Sequence, residues 1–271
     1  MLHILVSIKQ VPDTTNIRIN QETGTLIREG VPSIINPYDA VALSAAGELK
    51  NKYGGKITVI TMGPPQAKYA LKEAVEFGAD RIILISDRKF AGADTLATSY
   101  TLAQVIKHLE KERPFDLYFF GKQAIDGDTA QVGPGVATRL GVPVVTYVTK
   151  ILNLELQEKK IILQRKTEKG LEVLKANLPV LITCEKDLAE IPFVPFSEIL
   201  KAIKAEPEVV SAEGEVYFER EKLGLRGSPT QVKKVYTPEI KKRGKIYNLK
   251  EVPLDKVILE IIEILKKKEI L

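Results

Sequence analysis

The sequence predicts a doubly wound α/β fold: a mostly parallel sheet with added antiparallel strands and an extended C-terminal arm ending in a helix. Three observations carry this. Short apolar runs alternate with helix patterns through the first 150 residues. Beyond them apolar and polar residues alternate with a period of two. Near the end, residues 254–268 place Val257, Ile258, Ile261, Ile262 and Leu265 on one helical face.

Residues 3–8, 57–62, 81–86, 117–120 and 142–148 are the apolar runs, and they read as buried strands of a parallel sheet. Asn36 stands where a helix cap belongs and Pro37 suits the first helical position; that helix should run to about Tyr53, before Gly54-Gly55. Pro64-Pro65 open a second helix that ends at Gly78. A third runs from about Asp94 to Glu112, and a fourth from near Thr129 to Gly141. Residues 17–27, centred on Glu22-Thr23-Gly24, read as a hairpin inserted after the first strand. Residues 151–156, 160–165, 170–176 and 180–184 read as antiparallel strands. Residues 191–210 hold a Pro/Phe-rich loop and a short helix, and residues 211–250 look too polar to build a core. The expected division is a nucleotide-binding domain over 1–190 and an arm over 191–271.

Composition excludes several functions. The chain has 271 residues, 44% hydrophobic and 28% charged, with a formal net charge of +5. Basic and acidic residues are interleaved, which describes a solvated mixed surface and not a nucleic-acid footprint. No apolar run approaches the roughly 20 residues that span a bilayer, and the first residues lack signal-peptide anatomy. A single cysteine, Cys184, follows an apolar run and reads as a small core residue; the expected compartment is the cytoplasm. The two histidines, His3 and His108, have no metal-ligand spacing, and no serine sits in a nucleophile elbow. Any redox role therefore needs an organic cofactor.

The strongest local signal follows the run 117–120. Gly121, Lys122, Gln123, Ala124, Ile125, Asp126, Gly127, Asp128, Thr129, Ala130, Gln131, Val132, Gly133 and Pro134 lead from a strand end into a helix. That is the carboxyl edge of the sheet, where ligands of open α/β folds bind. Gly127 and Gly133 would let the backbone come close to a ligand. Asp128 and Gln131 have capping-box spacing, so the amides of 129–132 would point at a phosphate. Asp126 and Asp128 are left to capping or to ribose hydroxyls. The competing reading is a capped loop with no ligand, since the stretch is neither a Walker A loop nor a G-x-G-x-x-G fingerprint. Ser7 and Lys9, then Asn36, Pro37, Tyr38 and Asp39, then Met62, then Asp94 and Thr95, end or begin elements on the same rim.

Residues 4–13 (ILVSIKQVPD), 28–39 (REGVPSIINPYD), 57–67 (ITVITMGPPQA) and 77–87 (FGADRIILISD) resemble the beta subunits of electron transfer flavoproteins. The match at 121–134 is the most specific, and Leu223-Gly224 with residues 227–230 extends it into the tail. The resemblance implies that adenosine phosphate is held by Ser7, by Asn36–Asp39, by Met62 and by Gly121–Val132. It also implies that the second half wraps an alpha subunit. Residues 126–134 (DGDTAQVGP) and 90–99 (FAGADTLATS) resemble the electron-bifurcating subgroup, in which FAD takes the place of a structural AMP. Asp94 and Thr95 would then lie near a flavin edge. The implied electron donor is NADH. The implied acceptors are ferredoxin or flavodoxin on one side and an acyl-CoA dehydrogenase or quinone oxidoreductase on the other, with activity only as part of a complex. One departure stands out: where the family's recognition loop usually has Asn-Glu-Pro-Arg, residues 189–193 read AEIPF. A competing reading is a universal-stress-type ATP-binding domain, which leaves 191–271 without a role. An adenylyl-transferring ligase would need a Gly-rich turn after strand one, where this chain has Lys9-Gln10-Val11-Pro12.

Overall fold

A strand covered on both faces has no polar side to show, so its sequence is apolar throughout. Such strands form the middle of this protein. The computed structural model describes residues 1–13, 18–19, 26–27, 32–231 and 245–270. In chain order the elements are β1 (Leu2–Ser7), the short strands β2 (Gln10–Pro12), β3 (Arg18–Ile19), β4 (Leu26–Ile27) and β5 (Ser33–Ile35), then α1 (Pro37–Tyr53) and β6 (Gly55–Met62). There follow α2 (Lys68–Glu76), β7 (Arg81–Ile85), α3 (Thr95–Leu109), β8 (Leu117–Gly121), α4 (Val132–Leu140), β9 (Val144–Glu155), β10 (Lys160–Thr167), β11 (Gly170–Asn177) and β12 (Val180–Cys184). The last are α5 (Phe196–Lys204), β13 (Glu208–Val210) and α6 (Leu254–Lys267).

Among the described residues the main sheet has nine strands, in the order β11-β10-β9-β12-β8-β1-β6-β7-β13. From β9 to β13 all neighbours are parallel, while β10 and β11 are antiparallel additions. Alternate residues of each central strand feed two cores. Ile4, Val6, Val59, Leu117, Phe119 and Ile182 pack with Leu43 and Ala46 of α1 and Leu71 of α2. Leu5, Ile60, Ile83, Tyr118 and Leu181 pack on the opposite face with Ala103 and Ile106 of α3 and Val136 of α4. Two helices per face make the doubly wound layer arrangement that the sequence predicts.

Three expectations need correction. Val180–Cys184 is not antiparallel: it lies between β8 and β9, parallel to both, and every residue of it is buried. Burial of all five residues is what a strand with both faces covered requires. Residues 142–148 and 151–156 are not two strands but parts of one, β9, which bends through register shifts beside Tyr147, whose φ is 57°. The third concerns 211–250. Val216, Phe218 and Leu223 are buried in the second core, and Phe218 meets Phe90 edge-on at 5.3 Å. Ahead of them, β13 pairs with β7, and Lys72 Nζ of α2 donates to the Ile203 carbonyl at the end of α5 at 3.2 Å. By contacts, residues 1–233 form one compact unit and 234–271 another. The hairpin expected over 17–27 has its strands in β3 and β4, paired antiparallel; its centre lies outside the described residues.

Phe218 tests whether the segment after β13 belongs to the core. Phe218→Ala should lower stability by about 3 kcal/mol, as for a buried aromatic truncation. Tyr217→Ala, at a neighbour that is 78% exposed, should shift it by less than about 0.5 kcal/mol. Urea unfolding of both variants makes the comparison, and equal losses would show that the segment does not pack as described.

Candidate functional site

Strand order reverses at β1: the chain moves outward through β6 and β7, then returns to place β8 on the other side. Crevices at such reversals, at the carboxyl ends of the strands, are where open α/β sheets bind ligands. Here a cavity of about 970 Å³ opens at that edge. Its lining includes Ser7, Asn36, Asp39, Met62, Asp94, Thr95, Gly121, Lys122, Gln123, Ala124, Gly127, Asp128, Thr129, Ala130, Gln131 and Val132. Of the residues expected at the site, Pro37, Tyr38, Ile125 and Asp126 are not in the lining. Pro37 opens α1. The Tyr38 ring has the ammonium groups of Lys186 and Lys122 at 5.3 and 5.8 Å from its centre.

Two buried side chains at the start of α1 tie the strand ends together. Asp39 accepts from the Lys9 amide at 2.7 Å and from the Gly121 amide at 2.9 Å, joining the ends of β1 and β8. Asn36 stands at the cap position but makes no capping bond with its side chain. Instead its Nδ2 donates to the Gln123 carbonyl at 2.8 Å and its Oδ1 accepts from the Ile125 amide at 3.1 Å. Gly121 has to be glycine here: a Cβ would sit 2.2 Å from Asp39 Oδ1 and 2.8 Å from Tyr38 Cβ. Gly133 lines the cavity and is tightly packed as well, since a Cβ there would come 2.8 Å from Thr183 Cγ2. At Gly127 a Cβ meets no protein atom within 4 Å.

The loop beyond Gly121 departs from the expected capping box. Its helix, α4, starts at Val132 and not near Thr129, and Gln131 makes no side-chain cap. Asp128 accepts from Gln123 Nε2 at 2.6 Å, and Gln131 Oε1 accepts from Thr95 Oγ1 at 2.8 Å. Asp128 and Ala130 are left-handed, with φ of 52° and 54°, a conformation that costs a residue with a Cβ about 1 kcal/mol or more. Alternation of left- and right-handed residues turns successive N–H groups into a concave anion-binding nest. Among the described residues, the amides of 129–133 have no protein acceptor. They stand just ahead of and in the first turn of α4, where the helix dipole also favours an anion. Of the three cations in the cavity lining, Lys9, Arg88 and Lys122, the two lysines are already paired. Lys9 Nζ meets Asp126 at 2.7 Å, and Lys122 Nζ meets Glu185 at 2.8 Å. An anion in this loop is therefore met mainly by main chain.

The far wall of the cavity was missed in part. Ser86, Asp87, Arg88, Phe90, Thr98 and Leu102 line it along with Asp94 and Thr95. The signal was available, since the run 81–86 ends on the same edge as the other parallel strands. Asp94 caps α3 through the amides of Leu96 and Ala97 and accepts from Thr230 through both its amide and its hydroxyl. Burial pushes the Asp94 carboxyl up, but those bonds outweigh it and hold it below the ordinary value. Its carboxylate serves protein groups, while the residue itself stands in the cavity lining. No group of His, Cys, Asp and Glu among the described residues could hold a metal ion. Cys184 is buried in the core, as its sequence context predicts.

Asp39 should make stability depend on pH. Burial pushes its carboxyl from an ordinary 3.8 up to about 7, against the bonds from the Lys9 amide, Asn36 and the Gly121 amide and against the Lys9 charge. A carboxyl whose folded pKa exceeds its unfolded one keeps its proton longer in the fold. Stability should therefore fall as pH rises from about 4 to about 7 and level off above that. Asp39→Asn removes the titration and turns an amide NH2 toward a donor. It should be less stable than wild type, by about 1–3 kcal/mol, with a flatter slope in that window. An unchanged slope, read by denaturant unfolding across pH, would exclude Asp39 as its source.

Comparison with known proteins fits this geometry. A family model described as electron transfer flavoprotein domain matches residues 23–214. The chain is 47% identical over 263 residues to Protein FixA of Azorhizobium caulinodans, covering 96% of this chain and 94% of that protein. It is 49% identical over 245 residues to the electron transfer flavoprotein subunit beta of Clostridium acetobutylicum, covering 90% and 92%. Against the caffeyl-CoA reductase-Etf complex subunit CarD of Acetobacterium woodii it is 44% identical over 271 residues, all of both chains. The chain belongs to the electron transfer flavoprotein family, as a subunit of its beta type.

Proposed function

We propose that this chain binds FAD in the cavity at the β1/β8 reversal and works as the beta subunit of a bifurcating electron transfer flavoprotein, paired with an alpha subunit. The observation that carries the reading is the extent of the cavity. It runs from the amide-rich loop 128–133, suited to phosphate, to the wall over Ser86–Thr95. At about 970 Å³ it stands at the upper end of the range for small-molecule and cofactor sites, more room than a nucleoside monophosphate fills.

The chain's own residues would divide the work along the cavity. Asn36 and Asp39 fix the strand ends beneath the adenosine. The nest at Asp128–Gln131 and the first amides of α4 hold phosphate. Thr95 and Gln131, bonded to each other, join the two helix starts midway. Bound FAD would supply hydride acceptance from NADH, and its two electrons would leave by separate routes. One route passes through the alpha-subunit flavin to an acyl-CoA dehydrogenase or quinone oxidoreductase, the other to ferredoxin or flavodoxin. Similarity to a subunit of a caffeyl-CoA reductase-Etf complex supports an assembly of this kind. Among the described residues no helix is long and apolar enough to cross a membrane, and we place the work in the cytoplasm. We assign residues 234–271 to the alpha-subunit contact, because α6 has no buried side chain while Ile258 and Ile261 are exposed.

Acid extraction of the purified heterodimer, followed by chromatography, should release two FAD and no AMP, and NADH should bleach the flavin bands with no dehydrogenase added. One FAD with one AMP would make this an AMP-binding member of the family. The loop has its own test. Gly127→Val meets no protein atom, so it should speed FAD release while leaving the unfolding of the cofactor-free chain unchanged. If release is unaltered, Gly127 is a turn residue that no ligand approaches.

A further inference from the structure

The wall that closes the far side of the cavity has few holds of its own. Between β7 and α3 it is a loop with one 3-10 turn, Arg88–Phe90. Apart from the Thr95–Gln131 bond, its hydrogen bonds to other segments come from residues more than 110 positions later. Asp87 accepts from the Ala212 amide at 3.1 Å. Gly224, with φ of 50°, lies so close that a Cβ would sit 2.3 Å from the Lys89 carbonyl oxygen and 2.9 Å from that of Ala91. Leu225 covers Gly92, where a Cβ would be 2.6 Å from its Cδ2. At the end of the wall, the Asp94 amide donates to Ser228 Oγ at 2.8 Å, and that hydroxyl, itself buried, donates to the Gly224 carbonyl at 2.6 Å. Thr230 completes the contact, its amide and hydroxyl reaching Asp94 Oδ2 at 3.1 and 2.8 Å. Asp94 Oδ1 meanwhile caps α3.

We propose that Ser228 and Thr230 are positioning residues: through Asp94 they hold the Ser86–Thr95 wall in place, and so set how tightly the chain grips the part of its ligand that lies beyond the adenosine phosphate. The proposal rests on the reading of this cavity as an FAD site. Neither residue lines the cavity, so their effect passes entirely through the wall. The phosphate end is fixed at its base by Asn36 and Asp39, and neither they nor the 123–133 loop share a hydrogen bond with Ser228 or Thr230; that loop meets the wall through the Thr95–Gln131 bond. Loosening the clasp should therefore distinguish a long ligand from a short one. FAD, which would reach the wall, loses affinity, whereas AMP, which would end before it, does not.

The test uses the heterodimer with the double variant Ser228→Ala/Thr230→Val. Hydrogen exchange in the flavin-stripped complex should quicken about tenfold at the amides of 92–97, as local opening becomes easier. FAD retention should fall about tenfold while AMP binding to the stripped complex changes less than about twofold. Thr230→Ser, which keeps the hydroxyl, should match wild type in both measurements. Unchanged exchange at 92–97 would overturn the clasp, whichever nucleotide the wild type carries. Faster exchange with unaltered FAD retention would overturn its link to the ligand, as would equal losses of FAD and AMP. A wild-type complex with no FAD in this chain would defeat the cofactor reading, and the exchange measurement would still decide the clasp.

Discussion

The site depends on one buried contact. Asn36 and Asp39, one helical turn apart, accept or donate four hydrogen bonds to main chain that arrives from the ends of β1 and β8. Those strands are neighbours in the sheet but more than a hundred residues apart in sequence. Each buried polar group left unpaired costs about 1–3 kcal/mol, so the strand ends, the loop after Gly121 and the first turn of α1 can only move together. Glycine at 121 follows from the same contact, because the Asp39 carboxylate occupies the space of a side chain. The amides of 129–133 are held in position at one remove, by a loop whose base is fixed.

Much of this was legible in the sequence. The central strands are apolar because both faces are covered, and Pro37, Gly78 and Gly141 punctuate the helices where proline and glycine chemistry requires. Val180–Cys184 shows the limit: its residues mark it as buried, but no local pattern tells a strand added at an edge from one inserted in the middle. The polar tail misled for a related reason. Val216, Phe218 and Leu223 are spaced without period, since they belong to a segment with little regular structure, and only the existing core gives them somewhere to pack.

In the site, position was easier to read than purpose. Most expected residues line the cavity because strand ends of a parallel sheet share an edge, which is a property of topology. Their individual roles depend on partners far along the chain. Asn36 looks like a cap, yet its side chain bonds to main chain 87 and 89 residues later; Asp128 looks like half of a capping box, yet it bonds back to Gln123 and not forward into the helix. Asp94 is the mixed case. It caps α3 as its position suggests, and its second oxygen is claimed by Thr230, 136 residues later.

The last strand of the sheet has a consequence for biosynthesis. β13 is three residues long and covers the outer edge of β7, which was synthesised more than 120 residues earlier. Until residues 208–210 leave the ribosome, β7 presents a row of open amides and carbonyls on an apolar strand, the kind of edge that recruits foreign strands. Arg81 stands at the start of that edge and pairs with Glu112 and Glu208. Glu112 is available long before Glu208, so a charge and an early ion pair guard one end of the nascent edge until its own strand arrives to close it.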